Sequence, residues 1–186
     1  MTILFYRKDE TPYGVFSNFS PHPIELDDHL WPTVEHYYQA QKFVGMPAGE
    51  RHMAEIRRAP TAYDARRLGI DPSRPLRPDW DEVRLGVMWR AIQSKFDSYG
   101  VLEELLLSTG DEEIAENSPY DSFWGLGPNG DGENRFGHML MRLRQMYAEE
   151  LAEDPAAVRE WLAESQTHPE PSRPLEEILK ELEGGE

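Results

Sequence analysis

The chain of 186 residues has the length of one domain with an appendage. With 39% hydrophobic residues, including five Trp, eight Tyr and seven Phe, it can bury a sizeable core, which excludes global disorder. There is no cysteine, which removes disulfides, thiolate metal sites and a cysteine nucleophile together, and the formal charge of −16 argues against wrapping long nucleic acid through the whole surface.

The start, MTILFYRKDETPYG, has a short apolar run broken at once by charges, so no signal peptide is expected. No stretch approaches the roughly 18 apolar residues of a membrane span. A soluble, cytoplasmic protein without membrane contact is the expectation. Within the start, ILFYR reads as a short strand at a sheet edge. The next segment, YGVFSNFSPHPIELDDHLWP, is rich in turn formers, with PIEL a second strand candidate and DDH a turn.

From Thr33 the pattern becomes helical. Thr33 is a good N-cap, VEHYYQAQKFVG follows, and Gly45 suits the C-cap. Further helices are expected at 50–58, 61–68, 79–98, 100–107, 111–116 and 135–152. Between the last two lies NSPYDSFWGLGPNGDGEN, too rich in Gly, Pro and Asn for regular structure, and long loops of this kind inside a compact domain are usually functional or disordered.

Charge is unevenly spread. Residues 147–186 carry 12 acids and 3 bases, a net of −9, which leaves −7 on residues 1–146. Residues 151–186 therefore read as an acidic helical extension outside the 1–150 domain. In it, Pro155 starts a short helix, 166–174 is a Pro-rich linker and 174–183 is an amphipathic helix or a frayed tail. The opposite bias occupies 51–77, where Arg51, Arg57, Arg58, Arg66, Arg67, Arg74 and Arg77 face Glu55, Asp64 and Asp71, a local net of +4. Arginine forks bind phosphates well, so an anionic ligand is one reading and pairing with neighbouring acids is the other.

Two constellations carry chemistry. On the helix from Thr33, Glu35, Gln39 and Lys42 recur at i, i+4 and i+7, on one face, with Tyr38 beside them. An acid and a lysine so spaced can reach into one cleft if that face lines it; otherwise the face is an ordinary solvated one. The loop supplies Asp121 and Trp124, followed by glycines at 125, 127, 130, 132 and 137. An aromatic beside an acid suits stacking on a base with a hydrogen bond to its polar edge, while a turn with a core-anchoring Trp explains it equally well. The loop is neither a Walker A nor a dinucleotide fingerprint. The six histidines show no compact ligand spacing, so no metal site is expected, and no nucleophile elbow occurs.

Taken together, the blocks FSNFSPHPIELDDHLWPTVEHYYQAQKF (16–43), AEIRRAPTAYDARRLG (54–69), LRPDWDEVRLGVMWRAIQSKF (76–96), LLLSTGDEEIAENSPYDSFWG (105–125) and GDGENRFGHMLMRLR (130–144) resemble, in order, the YbiA-like or NADAR family. The resemblance implies an α+β, predominantly helical domain with a few short N-terminal strands. It also implies an N-glycosidase that needs no cofactor and cleaves between a base-like amine and a ribose. Two substrate classes go with it, phosphorylated intermediates of riboflavin biosynthesis and ADP-ribosylated guanine. Local contact with nucleic acid is compatible with the second class. A non-catalytic ADP-ribose or nucleotide-binding module is the alternative, but such a reader needs neither Glu35 nor Lys42.

Carried over residue by residue, the resemblance points to Glu35, Lys42 and Asp121 as catalytic, and to Asn18, Phe19, Tyr38, Gln39, Arg77, Trp124, Gly125 and Asn134 as substrate-binding. Glu35 would stabilise an oxocarbenium-like state or activate water. Lys42 would act as a Schiff-base nucleophile or as a phosphate ligand. Trp124 would stack on the leaving base, and Asp121 would hold a ring N–H or a ribose hydroxyl. Glu133 stands where many members carry a basic residue, which removes one phosphate contact, and Phe136 replaces the usual Leu.

Overall fold

The computed structural model describes residues 1–153, so Pro155, the expected 166–174 linker and the expected 174–183 helix lie outside the described residues. The described chain is predominantly helical, with four short strands. It divides into two compact units, Phe5–Tyr99 on one side and Met1–Leu4 with the chain from Gly100 onward on the other. Among the described residues no helix is long and apolar enough to cross a membrane.

In the Phe5–Tyr99 unit a hairpin comes first. Strands β2 (Ile24–Leu26) and β3 (His29–Trp31) pair antiparallel, with Ile24 opposite Trp31 and Leu26 opposite His29. Asp27 and Asp28 form the two-residue turn at φ 55° and 59°. A two-residue turn with both φ positive matches the strand twist, and Asp tolerates that region better than most residues. The turn was expected from DDH; the strand after it was not. The Asp27 carboxylate then accepts from the Tyr37 hydroxyl, Gln41 Nε2 and Arg90 Nη2 at 3.0, 3.2 and 2.6 Å, fastening the hairpin to two helices.

Helix α1 (Val34–Ala40) starts where Thr33 Oγ1 accepts the His36 N–H, and tightens into a 3-10 turn over Gln41–Phe43 before Gly45 at φ 72° ends it. It packs against α2 (Gly49–Arg57), α3 (Ala62–Gly69) and α4 (Trp80–Ser98), and every residue of α1 is buried. His36 ties it to the end of α2, its Nε2 3.1 Å from the Ala59 carbonyl and its Nδ1 2.8 Å from Thr33 Oγ1. A helix walled on three sides has no solvated face. The polar residues on it must therefore be satisfied by protein groups.

In the other unit, β1 (Thr2–Phe5) pairs with β4 (Glu113–Glu116), and α5 (Gly100–Ser108) and β4 both pack on α6 (Arg135–Glu153). Phe136, Leu140, Leu143 and Tyr147 form the buried stripe of α6 at helical spacing. The helix expected over 111–116 is instead strand β4. Glu-Glu-Ile-Ala-Glu is composed of helix formers, but pairing with β1 and the demands of the following loop override that weak local preference.

Candidate active site

The Glu35 side of α1 is interior, not solvated: Glu35, Gln39 and Lys42 are only 3%, 4% and 8% exposed. Glu35 has both oxygens engaged. Gln39 Nε2, one turn along the helix, donates to Oε1 at 2.7 Å, and Asn18 Nδ2 donates to Oε2 at 2.5 Å. The Asn18 carbonyl in turn accepts the Glu35 N–H at 3.0 Å, so Asn18 fixes both the helix start and its acid. Phe19 follows, half-buried, its N–H on Ser17 Oγ at 3.2 Å.

Gln39 is held in turn by close packing. A Cβ on Gly69, at the end of α3, would fall 2.1 Å from Gln39 Oε1, so only glycine admits this approach. Gln39 Oε1 is buried without a hydrogen-bond partner. Its amide is committed to Glu35 through nitrogen, so its oxygen is a buried acceptor that no donor of the described residues meets.

Lys42 extends along the same wall. Its Nζ lies 5.7 Å from the ring centres of both Tyr38 and Trp80, which pack on each other at 5.0 Å, and 3.3 Å from the Gly69 carbonyl. Burial pulls its pKa down to about 8, with Glu35 raising it and Arg66 lowering it. The Glu35 carboxyl moves the other way: burial pushes it above the usual carboxylate range, against the bond from Gln39, the charges of Arg66 and Lys42, and the bond from Asn18. The two groups thus sit two turns apart on one buried side, an acid with its proton affinity raised and an amine with its proton affinity lowered.

Trp80 was not singled out from the sequence, and Arg66 only as one of five arginines, with Arg57, Arg58, Arg67 and Arg77, expected to supply phosphate contacts. Arg66, on the exposed side of α3, makes no hydrogen bond or ion pair among the described residues, yet its charge is felt by both Glu35 and Lys42. Most of the other arginines of the basic stretch are occupied. Arg51 pairs with Glu55, Arg67 with Asp64, Arg74 with Glu55 and Asp71, while Arg57 lies over Trp31. Arg77, expected to bind substrate, is clamped through Nε and Nη2 by Asp79 at 2.7 and 2.8 Å.

The remaining expected residues lie in the other unit and are bonded differently. Asp121 Oδ1 accepts the N–H groups of Phe123 and Trp124 at 2.9 and 2.8 Å, closing a turn. Trp124 stands edge-on to Phe123, ring centres 5.0 Å apart. Buried Asn134, at φ 46°, donates to the Ile114 carbonyl and accepts the Glu116 N–H at 2.9 and 3.0 Å, so both ends of its amide are spent on β4. A Cβ on Gly125 would meet the Glu116 carbonyl at 2.5 Å; this glycine serves contact with the protein's own backbone. Glu133 pairs with Arg135 at 2.7 Å. Among the described residues no cluster of three or more His, Asp or Glu side chains could hold a metal.

A model of the NADAR domain matches residues 4–147. The chain belongs to the NADAR family. It is 50% identical over 145 residues to N-glycosidase Npun_R5314 of Nostoc punctiforme, covering 78% of this chain and 92% of that one. It is 42% identical over 147 residues to N-glycosidase YbiA of Escherichia coli, 79% of this chain and 89% of the relative. The NMR structure of YbiA superposes with a TM-score of 0.74, over 83% of this chain and 89% of YbiA. A maize protein, riboflavin biosynthesis protein PYRR, is 42% identical over 153 residues, 76% of this chain but 25% of its own length. These likenesses place the chain among the YbiA-like N-glycosidases of the NADAR family, and its helical fold with short strands is theirs.

Proposed function

We propose that this NADAR protein hydrolyses the N-glycosyl bond between a base-like amine and C1 of a phosphorylated ribose, in a small pyrimidine-type intermediate of riboflavin biosynthesis. What supports this reading is buried Glu35 on α1, gripped by Gln39 and Asn18, with buried Lys42 on the 3-10 turn that continues the helix, beside the Tyr38 and Trp80 rings; burial pushes the carboxyl up and pulls the amine down to about 8. The riboflavin name of the maize relative supports the substrate class. A lysine desolvated between aromatic rings and near a second cation is activated as a nucleophile, and about a tenth of it is neutral at pH 7.

In the proposed reaction the ring-opened substrate presents a C=N bond at C1. The Lys42 amine adds to C1, Glu35 carries a proton from the attacking nitrogen to the departing one, and the base leaves as its free amine. Water, deprotonated by Glu35, then hydrolyses the lysine Schiff base to the ribose phosphate aldehyde and restores the amine. Gln39 Oε1 is the acceptor for a ribose hydroxyl, and Arg66 takes the phosphate.

Incubation with a phosphorylated ribosylaminopyrimidine and with ADP-ribosylated guanine, followed by chromatography for free base, tests the reading. Base is expected from the first compound. Release from ADP-ribosylated guanine alone would overturn the substrate class. Release from neither, with tight binding of ADP-ribose, would overturn the enzyme in favour of a binding module.

A further inference from the structure

Helix α4 buries Met88, Ala91, Ile92 and Phe96 at helical spacing, and Lys95 sits in the same stripe at 1% exposure. An ammonium in an apolar stripe costs several kcal/mol unless its donors are met. Here all three are: Nζ donates to the Val15 carbonyl, to the Ser17 carbonyl at 3.0 Å and to Ser20 Oγ at 2.5 Å. Among the described residues no carboxylate pairs with it. All three acceptors belong to the six-residue segment 15–20, and that segment carries Asn18. The Ser20 hydroxyl closes the segment on itself, donating toward the Ser17 carbonyl at 2.7 Å.

We infer that Lys95 is a positioning residue for the glycosidic cleavage, acting through Asn18 on Glu35. The ammonium draws Val15, Ser17 and Ser20 around one point, which fixes where the Asn18 amide and carbonyl emerge. Those two groups then hold the Glu35 carboxylate and its N–H at 2.5 and 3.0 Å. An apolar side chain at 95 would fill the stripe but remove the one donor that the Val15 and Ser17 carbonyls and Ser20 Oγ share, leaving Ser20 alone to hold the segment, which would relax away from α1. The groups facing Lys95 are these three oxygens, the Phe96 ring at 5.6 Å and, beyond Ser20, the His22 ring. Burial and the Lys95 charge keep His22 neutral, with its pKa near 3, so it adds no second cation.

The inference rests on the proposed hydrolysis, and base release by the unaltered protein tests that reading separately. Given release, kcat/KM is measured against pH for the unaltered protein, Lys95→Met, Asn18→Ala and the double variant, with thermal unfolding to confirm folding. Lys95→Met is expected to lower kcat about 10- to 100-fold with KM little changed. It should also shift the acid limb of the profile to higher pH, because Glu35 loses a donor that favours its ionised form. The double variant should be no worse than Asn18→Ala alone, since the two act in series. If Lys95→Met does not fold, Ser20→Ala, which removes one acceptor and keeps the lysine, should shift the same limb by less. An acid limb that stays in place in the folded variant, or losses that multiply in the double variant, would overturn the inference.

Discussion

The α1 wall and the 117–134 loop are both rich in polar residues, but they use them in opposite ways. On the wall, side chains bond side chains: Asn18 and Gln39 grip the Glu35 carboxylate, and Lys42 shares its surroundings with aromatic rings and Arg66. In the loop, side chains bond backbone: Asp121 closes a turn and Asn134 occupies both an N–H and a carbonyl of β4. The first arrangement shifts proton affinities and leaves one buried acceptor without a partner. The second stiffens an irregular chain that has no ladder of its own. The polar residues that the family resemblance pointed to therefore divide into buried side chains bonded to one another and side chains that hold backbone.

Substitutions test that division directly. Glu35→Gln and Lys42→Ala should each lower turnover at least about 100-fold in steady-state base release, with the fold retained by circular dichroism. Near-native turnover in both would remove the wall from the chemistry. Arg66→Ala should raise KM for a phosphorylated substrate about 10-fold, the scale of one charge-assisted contact, with a much smaller fall in kcat that the dephosphorylated substrate shares. Equal losses on both substrates would show that Arg66 acts on the Glu35–Lys42 pair and not on phosphate. Asn134→Ala should cost about 2–4 kcal/mol in urea unfolding, because two backbone groups lose their partner. The pH profile of the folded variant should not move. A shifted profile with native stability would contradict the structural assignment of Asn134.

Much of this was legible in the sequence, and the failures have physical causes. Thr33, the i, i+4, i+7 spacing and Gly45 located α1 and placed Glu35, Gln39 and Lys42 together. Spacing alone could not tell a solvated face from a buried one, since burial depends on α2, α3 and α4 packing round the helix. Strand β3 was missed although Asp27-Asp28 between two short apolar runs is a hairpin signal. Strand β4 was read as a helix because its residues favour one locally. Arg66 was hidden among six other arginines, and what sets it apart is that its charge reaches both Glu35 and Lys42. Lys95 did leave a trace, as a cation at an apolar-stripe position of α4, which calls for buried acceptors.

The most direct measurement is reductive trapping. Borohydride added during turnover of the phosphorylated ribosylaminopyrimidine should fix a ribose phosphate adduct on the peptide carrying Lys42, detected by mass spectrometry and absent from Lys42→Ala. Continued release of base with no adduct, or an adduct on any other lysine, would contradict the assignment of Lys42 as the nucleophile beside Glu35.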